Sequence, residues 1–205
     1  HPDGQIAFFN DAAFGIAGSP DSLCDYAVRL GVNSPNHEGR SVCHLASSGY
    51  VRISQGDAVA LLDVASIGPD YIPGHAHADT LSFEFSLFGQ RLMVNSGTSL
   101  YEQGKERLRQ RGTGAHNTVQ IDGENSSEVW ASFRVAKRAH PFNLQTRVED
   151  EFVVAQCSHD GYQRLPGRNI HQRKWRLDNH SFKITDIIEG RFQSAAARYH
   201  LHPEI

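Results

Sequence analysis

The sequence predicts a mainly β fold, an antiparallel β-sandwich entered through a short helical segment, and three observations predict it. From about residue 48 onward apolar and polar residues alternate at period two. Turn-forming groups separate these short runs. A helical stripe is confined to the first forty residues. The chain of 205 residues has the length of one typical domain, and its 39% hydrophobic content supplies a core. A net charge of −3 excludes the broad basic field of a nucleic-acid binder. No run approaches the roughly 20 apolar residues of a membrane span.

The elements follow in order. Ser19-Pro20-Asp21 has the form of an N-cap with proline at the first helical position. Leu23, Ala27 and Leu30 continue it as a helical stripe, and Gly31 stops it. Residues 32–40 are rich in Asn, Ser, Pro, His and Gly and read as a linker. Tyr50–Ser54 and Ala58–Val64 flank Gln55-Gly56-Asp57 as a hairpin. Leu81–Leu87 alternates cleanly, and Gly89-Gln90 turns it into Arg91–Val94. Further strands are expected at Asn117–Ile121, Phe133–Lys137, Phe152–Cys157, Ile170–Leu177 and Phe182–Ile188, the last two joined through Asp178–Ser181. The chain opens on His1-Pro2-Asp3-Gly4 and stops within a strand approach, as a piece of a longer protein would. Cys24, Cys43 and Cys157 are odd in number and far apart, so no disulfide framework or CxxC knuckle is implied.

Chemistry concentrates at Gly74-His75-Ala76-His77-Ala78-Asp79. In an extended chain His75, His77 and Asp79 point to one side, the side of Leu81, Phe83 and Phe85. Three such groups at the mouth of a strand can converge on a metal or a substrate; the plainer alternative is a strand entry with hydrogen-bonded histidines. A cupin would place a Glu four or five residues after its HxH, whereas Glu84 comes seven after His77. His116 likewise stands just ahead of a strand, and with His77 it could give two nitrogens of a zinc site. Asn95 is near, but a neutral amide is a poor zinc ligand; here too, two histidines bonded within the rim are the alternative. Arg107, Arg109 and Arg111 line one face if extended and fan out if helical. Either form suits carboxylates or sulfates, unless the run is a solvated loop. The Tyr101 phenol can donate or take a proton at a glycosidic oxygen, or simply pack. Trp130 is a sugar-stacking or a core residue. No GxSxG elbow, P-loop or Rossmann fingerprint occurs.

In this order the pieces GHAHADTLSF (74–83), VNSGT (94–98), HNTV (116–119), Asp122-Gly123 and Asp160-Gly161-Tyr162 resemble the C-terminal region of the heparinase II/III-like polysaccharide lyases, in particular an exopolysaccharide-associated subgroup. The resemblance covers about half the chain. It implies an α/α toroid followed by an antiparallel β-sandwich, with the active site between them. Residues 1–40 would then be the helical tail of the toroid plus a linker, and 48–205 a sandwich truncated at its end. It implies β-elimination on a uronate-containing acidic polysaccharide, in the periplasm or outside the cell, with the toroid of the same parent chain as partner. His75 becomes a catalytic or substrate-contacting group, Tyr101 a second cleft residue, and Arg107, Arg109 and Arg111 candidate subsites. His77, Asn95 and His116 match the positions that hold a structural zinc, with Asn95 where the family has Asp. The isolated piece is expected to be nearly inactive. The alternatives are a non-catalytic carbohydrate-binding or exopolysaccharide-assembly module, and a small cupin-like metalloprotein.

Overall fold

The computed structural model describes residues 1–32, 39 and 41–205, so most of the expected linker lies outside the described residues. Helix α1 is Pro20–Arg29. Ser19 caps it, its Oγ accepting from the Ser22 N–H at 3.2 Å. None of its residues is buried.

Strands β1 (Val42–Leu45), β2 (Tyr50–Gln55), β3 (Ala58–Asp63), β4 (Phe83–Leu87) and β5 (Gln90–Met93) form one antiparallel sheet in chain order. Helix α2 is Lys105–Arg111, so the arginine run is helical. Then come β6 (Val119–Ile121), β7 (Val129–Trp130), β8 (Arg134–Val135), β9 (Pro141–Val148), β10 (Phe152–His159), β11 (Ile170–Asp178), β12 (Phe182–Glu189) and β13 (Ala195–Ala197). Strands β9–β12 make the second sheet, in the order β12-β11-β10-β9, while β6 pairs with β13 and β7 with β8.

The two large sheets share one core. Val51, Ile53, Ala60, Leu62, Phe83 and Phe85 from the first meet Val153, Ala155, Cys157, Trp175 and Leu177 from the second. The alternation read from the sequence is the cause: each strand turns its apolar parity inward, and burial of those faces drives the layers together.

Four strands were not expected, β7 among them. β1 and β9 carry too little apolar alternation to be seen, and β13 is three exposed alanines. The strand expected at Phe133–Lys137 is instead half of the tight β7–β8 hairpin, with Ala131 at its tip in the left-handed region (φ 48°).

Residues 1–18 contain no helix; this segment crosses the first sheet and is bonded to it. Glu84, buried on β4, accepts the Phe8 N–H at 2.7 Å and the Asn95 N–H at 3.1 Å, and its other oxygen meets the His1 ring. Burial pushes the Glu84 carboxyl up to about 7 despite these bonds. Arg91 holds Asp3 through two N–H groups. Further along, the Thr98 N–H donates to the Ala12 carbonyl at 3.0 Å. That approach requires Gly97: its φ is +54°, and a Cβ there would lie 2.0 Å from the Ala12 oxygen.

At one end of the second sheet a chain of buried polar groups runs across three strands. The Gly161 N–H donates to His159 Nδ1 at 3.1 Å. His159 Nε2 therefore donates to His171 Nδ1 (3.1 Å), and His171 Nε2 to Asp186 (2.7 Å), which Arg173 also grips. Each ring is used once as donor and once as acceptor, which fixes both as neutral. Burial holds both histidines below their ordinary pKa, His159 well below. On unfolding they regain that ordinary value near 6.5, so the unfolded chain gains protons first as the pH falls. Stability from this network is complete above about 6.5 and declines below it, by at most about 1.4 kcal/mol per pH unit for each histidine. The expected result is that the stability gap between wild type and His159→Gln, measured by urea unfolding, narrows from pH 7.5 to 5.5. A gap independent of pH contradicts the assignment.

Candidate functional site

The site lies where four chain segments meet beside the first sheet. One is the loop that precedes β4. Residues 75–80 form a loop, which Leu81 ends with a φ of 61°, so the extended chain on which the common parity of His75, His77 and Asp79 rested is not there. The loop is instead held by α2. Arg111, fully buried, donates to the Ala76 carbonyl from Nε and Nη2, and its own carbonyl accepts the Ala78 N–H. The other segments bring Asn10 and Asp11, Asn95 after β5, and His116 ahead of β6.

Asp11 is the hub. Its Oδ2 accepts from His75 Nδ1 (2.9 Å) and Arg107 Nη2 (2.7 Å). Its Oδ1 accepts from His77 Nε2 (2.7 Å) and, in a very short contact, from Arg107 Nη1. Burial opposes ionisation of Asp11, but the donors His77, Arg107 and His75 hold its carboxyl well below the usual carboxylate range. An ionised Asp11 can only accept, so both rings present N–H to it. In the neutral form of each ring, the second nitrogen, His75 Nε2 or His77 Nδ1, is then a lone pair. The former belongs to a side chain 65% exposed, the latter to a side chain with no exposure.

A second set is sealed beneath. Asn95 Oδ1 takes the Asn117 N–H (3.4 Å) and His116 Nδ1 (3.1 Å), so His116 Nδ1 is the donor and its Nε2 is the lone pair. Burial holds His116 well below its ordinary pKa, hence neutral. Asp79 Oδ2 accepts the Asn10 N–H at 3.2 Å. Burial raises the Asp79 carboxyl, and that of neighbouring Asp63 as well. Four buried atoms of this set are left without partners: the acceptors His77 Nδ1, Asp79 Oδ1 and His116 Nε2, and the donor Asn95 Nδ2. One ligand atom from each of His77, Asp79 and His116 lies within 4.8 Å of the others. Three lone-pair donors with no N–H among them are a poor hydrogen-bonding set and a good cation set.

The structure brings His77, Asn95 and His116 together and joins His75 to His77 through Asp11, but Asn95 Oδ1 points to the His116 ring, and the nearby carboxylate is Asp79. Tyr101 is 43% exposed, with its ring 5.9 Å from that of His75. The arginine trio separates. Arg107 and Arg111 are fully buried and bonded to Asp11 and to backbone carbonyls, so they are not surface forks for a polymer. A helix, unlike a strand, turns alternate residues to different faces, and only Arg109 is outside, paired with Glu106. Asn10 and Asp11 were missed, because the sole signal is a polar pair after Phe8-Phe9 in a segment read as a helical tail.

Among the described residues no helix is long and apolar enough to cross a membrane. No curated protein matches the chain by sequence. Among solved structures, the heparan sulfate lyase HepC from Pedobacter heparinus superposes with a TM-score of 0.73 at 17% identity, over 98% of this chain and 32% of that one. A heparinase III superposes with a TM-score of 0.72 at 19% identity, over 96% and 32%. A second heparinase III, the BT4657 gene product, gives 0.63 at 19% identity, over 92% and 30%. The chain thus spans about a third of these relatives' length, and they share its sandwich fold. The family model for the heparinase II/III-like C-terminal region matches residues 37–205, and the chain belongs to that family.

Proposed function

We propose that this chain is the C-terminal part of a lyase that cleaves a uronate-containing acidic polysaccharide by β-elimination, outside the cytoplasm, together with a toroid domain of the same parent chain. The observation that carries the reading is His75: an exposed imidazole whose Nδ1 is fixed on an ionised, buried Asp11, with Nε2 presented outward beside the Tyr101 phenol. The relatives of known structure are named as heparan sulfate lyases and heparinases, which supports the substrate class.

In the reaction the C5–H bond of a uronate breaks, its electrons form the C4–C5 double bond, and the C4–O4 bond breaks. His75 Nε2 takes the C5 proton, and Asp11 holds the resulting imidazolium in place. The Tyr101 hydroxyl gives its proton to the departing O4. Negative charge grows on the uronate carboxylate meanwhile and needs a preorganised cation or donor beside it. Both groups return to their starting states by proton exchange with solvent.

The buried trio suits zinc. His77, Asp79 and His116 would hold it, Asp11 and Asn95 would orient the two rings, and the ion would tie the HxH loop to the start of β6 as a structural element. Asp79 thereby supplies the carboxylate that Asn95 does not.

The test is ultraviolet absorbance of unsaturated uronate when the full-length parent meets heparan sulfate, alginate and acidic exopolysaccharides. Product formation with wild type is expected, reduced about 10²–10⁴-fold in His75→Ala. A parent that binds these polymers and forms no product on any of them points to a carbohydrate-binding module instead.

A further inference from the structure

We propose that the β7–β8 hairpin is a sugar-binding wall of this site, where Phe133 stacks on a pyranose ring and Arg134 holds a carboxylate or sulfate of the same polymer. The proposal deepens the lyase reading, and its binding assay stands independently of turnover.

Position is the first argument. The Phe133 ring lies 5.8 Å from His75 and 5.4 Å from Tyr101, so the three rings form one cluster. Phe133 is 43% exposed. The hairpin packs directly against the HxH loop: a Cβ at Gly74 would lie in van der Waals contact with Phe133, 3.4 Å from its carbonyl oxygen and 3.5 Å from its Cβ.

Rigidity is the second. A hairpin with two residues in each strand is marginal in isolation. This one is pinned from below by the two buried guanidiniums of α2. Arg107 Nε donates to the Ser132 carbonyl (3.0 Å). Arg111 donates to the carbonyls of Trp130 (3.4 Å), Ala131 (3.2 Å) and Arg134 (3.3 Å). These bonds hold Ala131 in a left-handed conformation that a non-glycine residue seldom adopts. Two desolvated arginines are a large commitment for a surface turn, and they fix the aromatic wall relative to His75.

Chemistry is the third. The Arg134 guanidinium lies 5.1 Å from the Trp130 ring centroid, and Arg134 has no carboxylate partner among the described residues. Stacking leaves the in-plane N–H fork of an arginine free for a planar anion. An apolar ring beside an unpaired cationic fork matches a pyranose with its C–H face and an acidic substituent.

The experiment is calorimetric titration of the full-length parent with tetrasaccharides of heparan sulfate and alginate and with their carboxyl-reduced forms. Phe133→Ala and Phe133→Leu are both expected to weaken binding of every probe about tenfold, because leucine restores apolar bulk without a flat face. Arg134→Gln is expected to weaken binding of the acidic probes and leave carboxyl-reduced alginate unchanged. Wild-type affinity in all three variants overturns the proposal, as does full rescue by leucine with no effect of Arg134→Gln, or absence of binding by the wild type. If binding changes as expected while no unsaturated product forms, only the lyase reading fails. If the parent is an active lyase and the variants bind normally, only the wall fails.

Discussion

Asp11→Ala is expected to destabilise the chain by about 3–5 kcal/mol, the penalty for removing one partner of a buried ion pair. Arg107 is the reason. Its guanidinium is fully buried, and both of its terminal nitrogens donate to Asp11. Without the carboxylate a desolvated cation remains with no counter-charge, held by Thr98 Oγ1, the Ser132 carbonyl and the faces of Tyr101 and Phe133. Both imidazoles lose their acceptor at the same time, so His77 and His75 can adopt the wrong tautomer or turn away. The N-terminal segment keeps its Asn10 bonds to the HxH loop but loses those made by Asp11. Denaturant unfolding measures the loss. Asp11→Asn keeps the shape and removes the charge, and a smaller loss is expected from it. A change within about 0.5 kcal/mol for alanine, as for an ordinary surface position, contradicts the hub role.

The second large effect concerns the sealed trio. His77→Ala, Asp79→Asn and His116→Ala are each expected to abolish retention of zinc, since each removes one of three protein ligands. Asn95→Ala is expected to weaken it by only about 10–100-fold, the usual effect of losing a group that orients a ligand. The distinction follows from the bonds: Asn95 Oδ1 is occupied by His116 Nδ1 and the Asn117 N–H, whereas Asp79 Oδ1 is buried and unpartnered. Zinc-competition titration orders the four variants. The reverse order, with Asn95→Ala losing the metal and Asp79→Asn keeping it, contradicts this ligand set.

Much of the fold was legible because its signals are local. The runs at 50–64 and 81–94 alternate at period two, and their inward parity is the observed core. The capped helix at residue 20 was legible from three adjacent residues. Strand β9 was not, since its partner β10 creates it: six of its eight residues are exposed, and a bulge breaks the register between Gln156 and Ser158. At the site, the HxH pair and His116 were visible as residue types. Their arrangement was not, because residues 75–80 form a loop whose shape is set by bonds to α2 and to Asn10 and Asp11, far away in the chain. The arginines appeared as a charged surface because nothing in a sequence says that Arg107 will find a carboxylate 96 residues away. Asp11 itself was invisible for the same reason: its importance lies wholly in contacts distant along the chain.

Elemental analysis of the chain purified without chelator bears most directly on whether the orphaned lone pairs of His77, Asp79 and His116 are a metal centre. About one zinc ion per chain is expected, retained through dialysis, with a lowered melting temperature once a strong chelator removes it. A folded chain that stays metal-free after incubation with zinc, and whose melting temperature is the same with and without chelator, would contradict a metal centre at these residues.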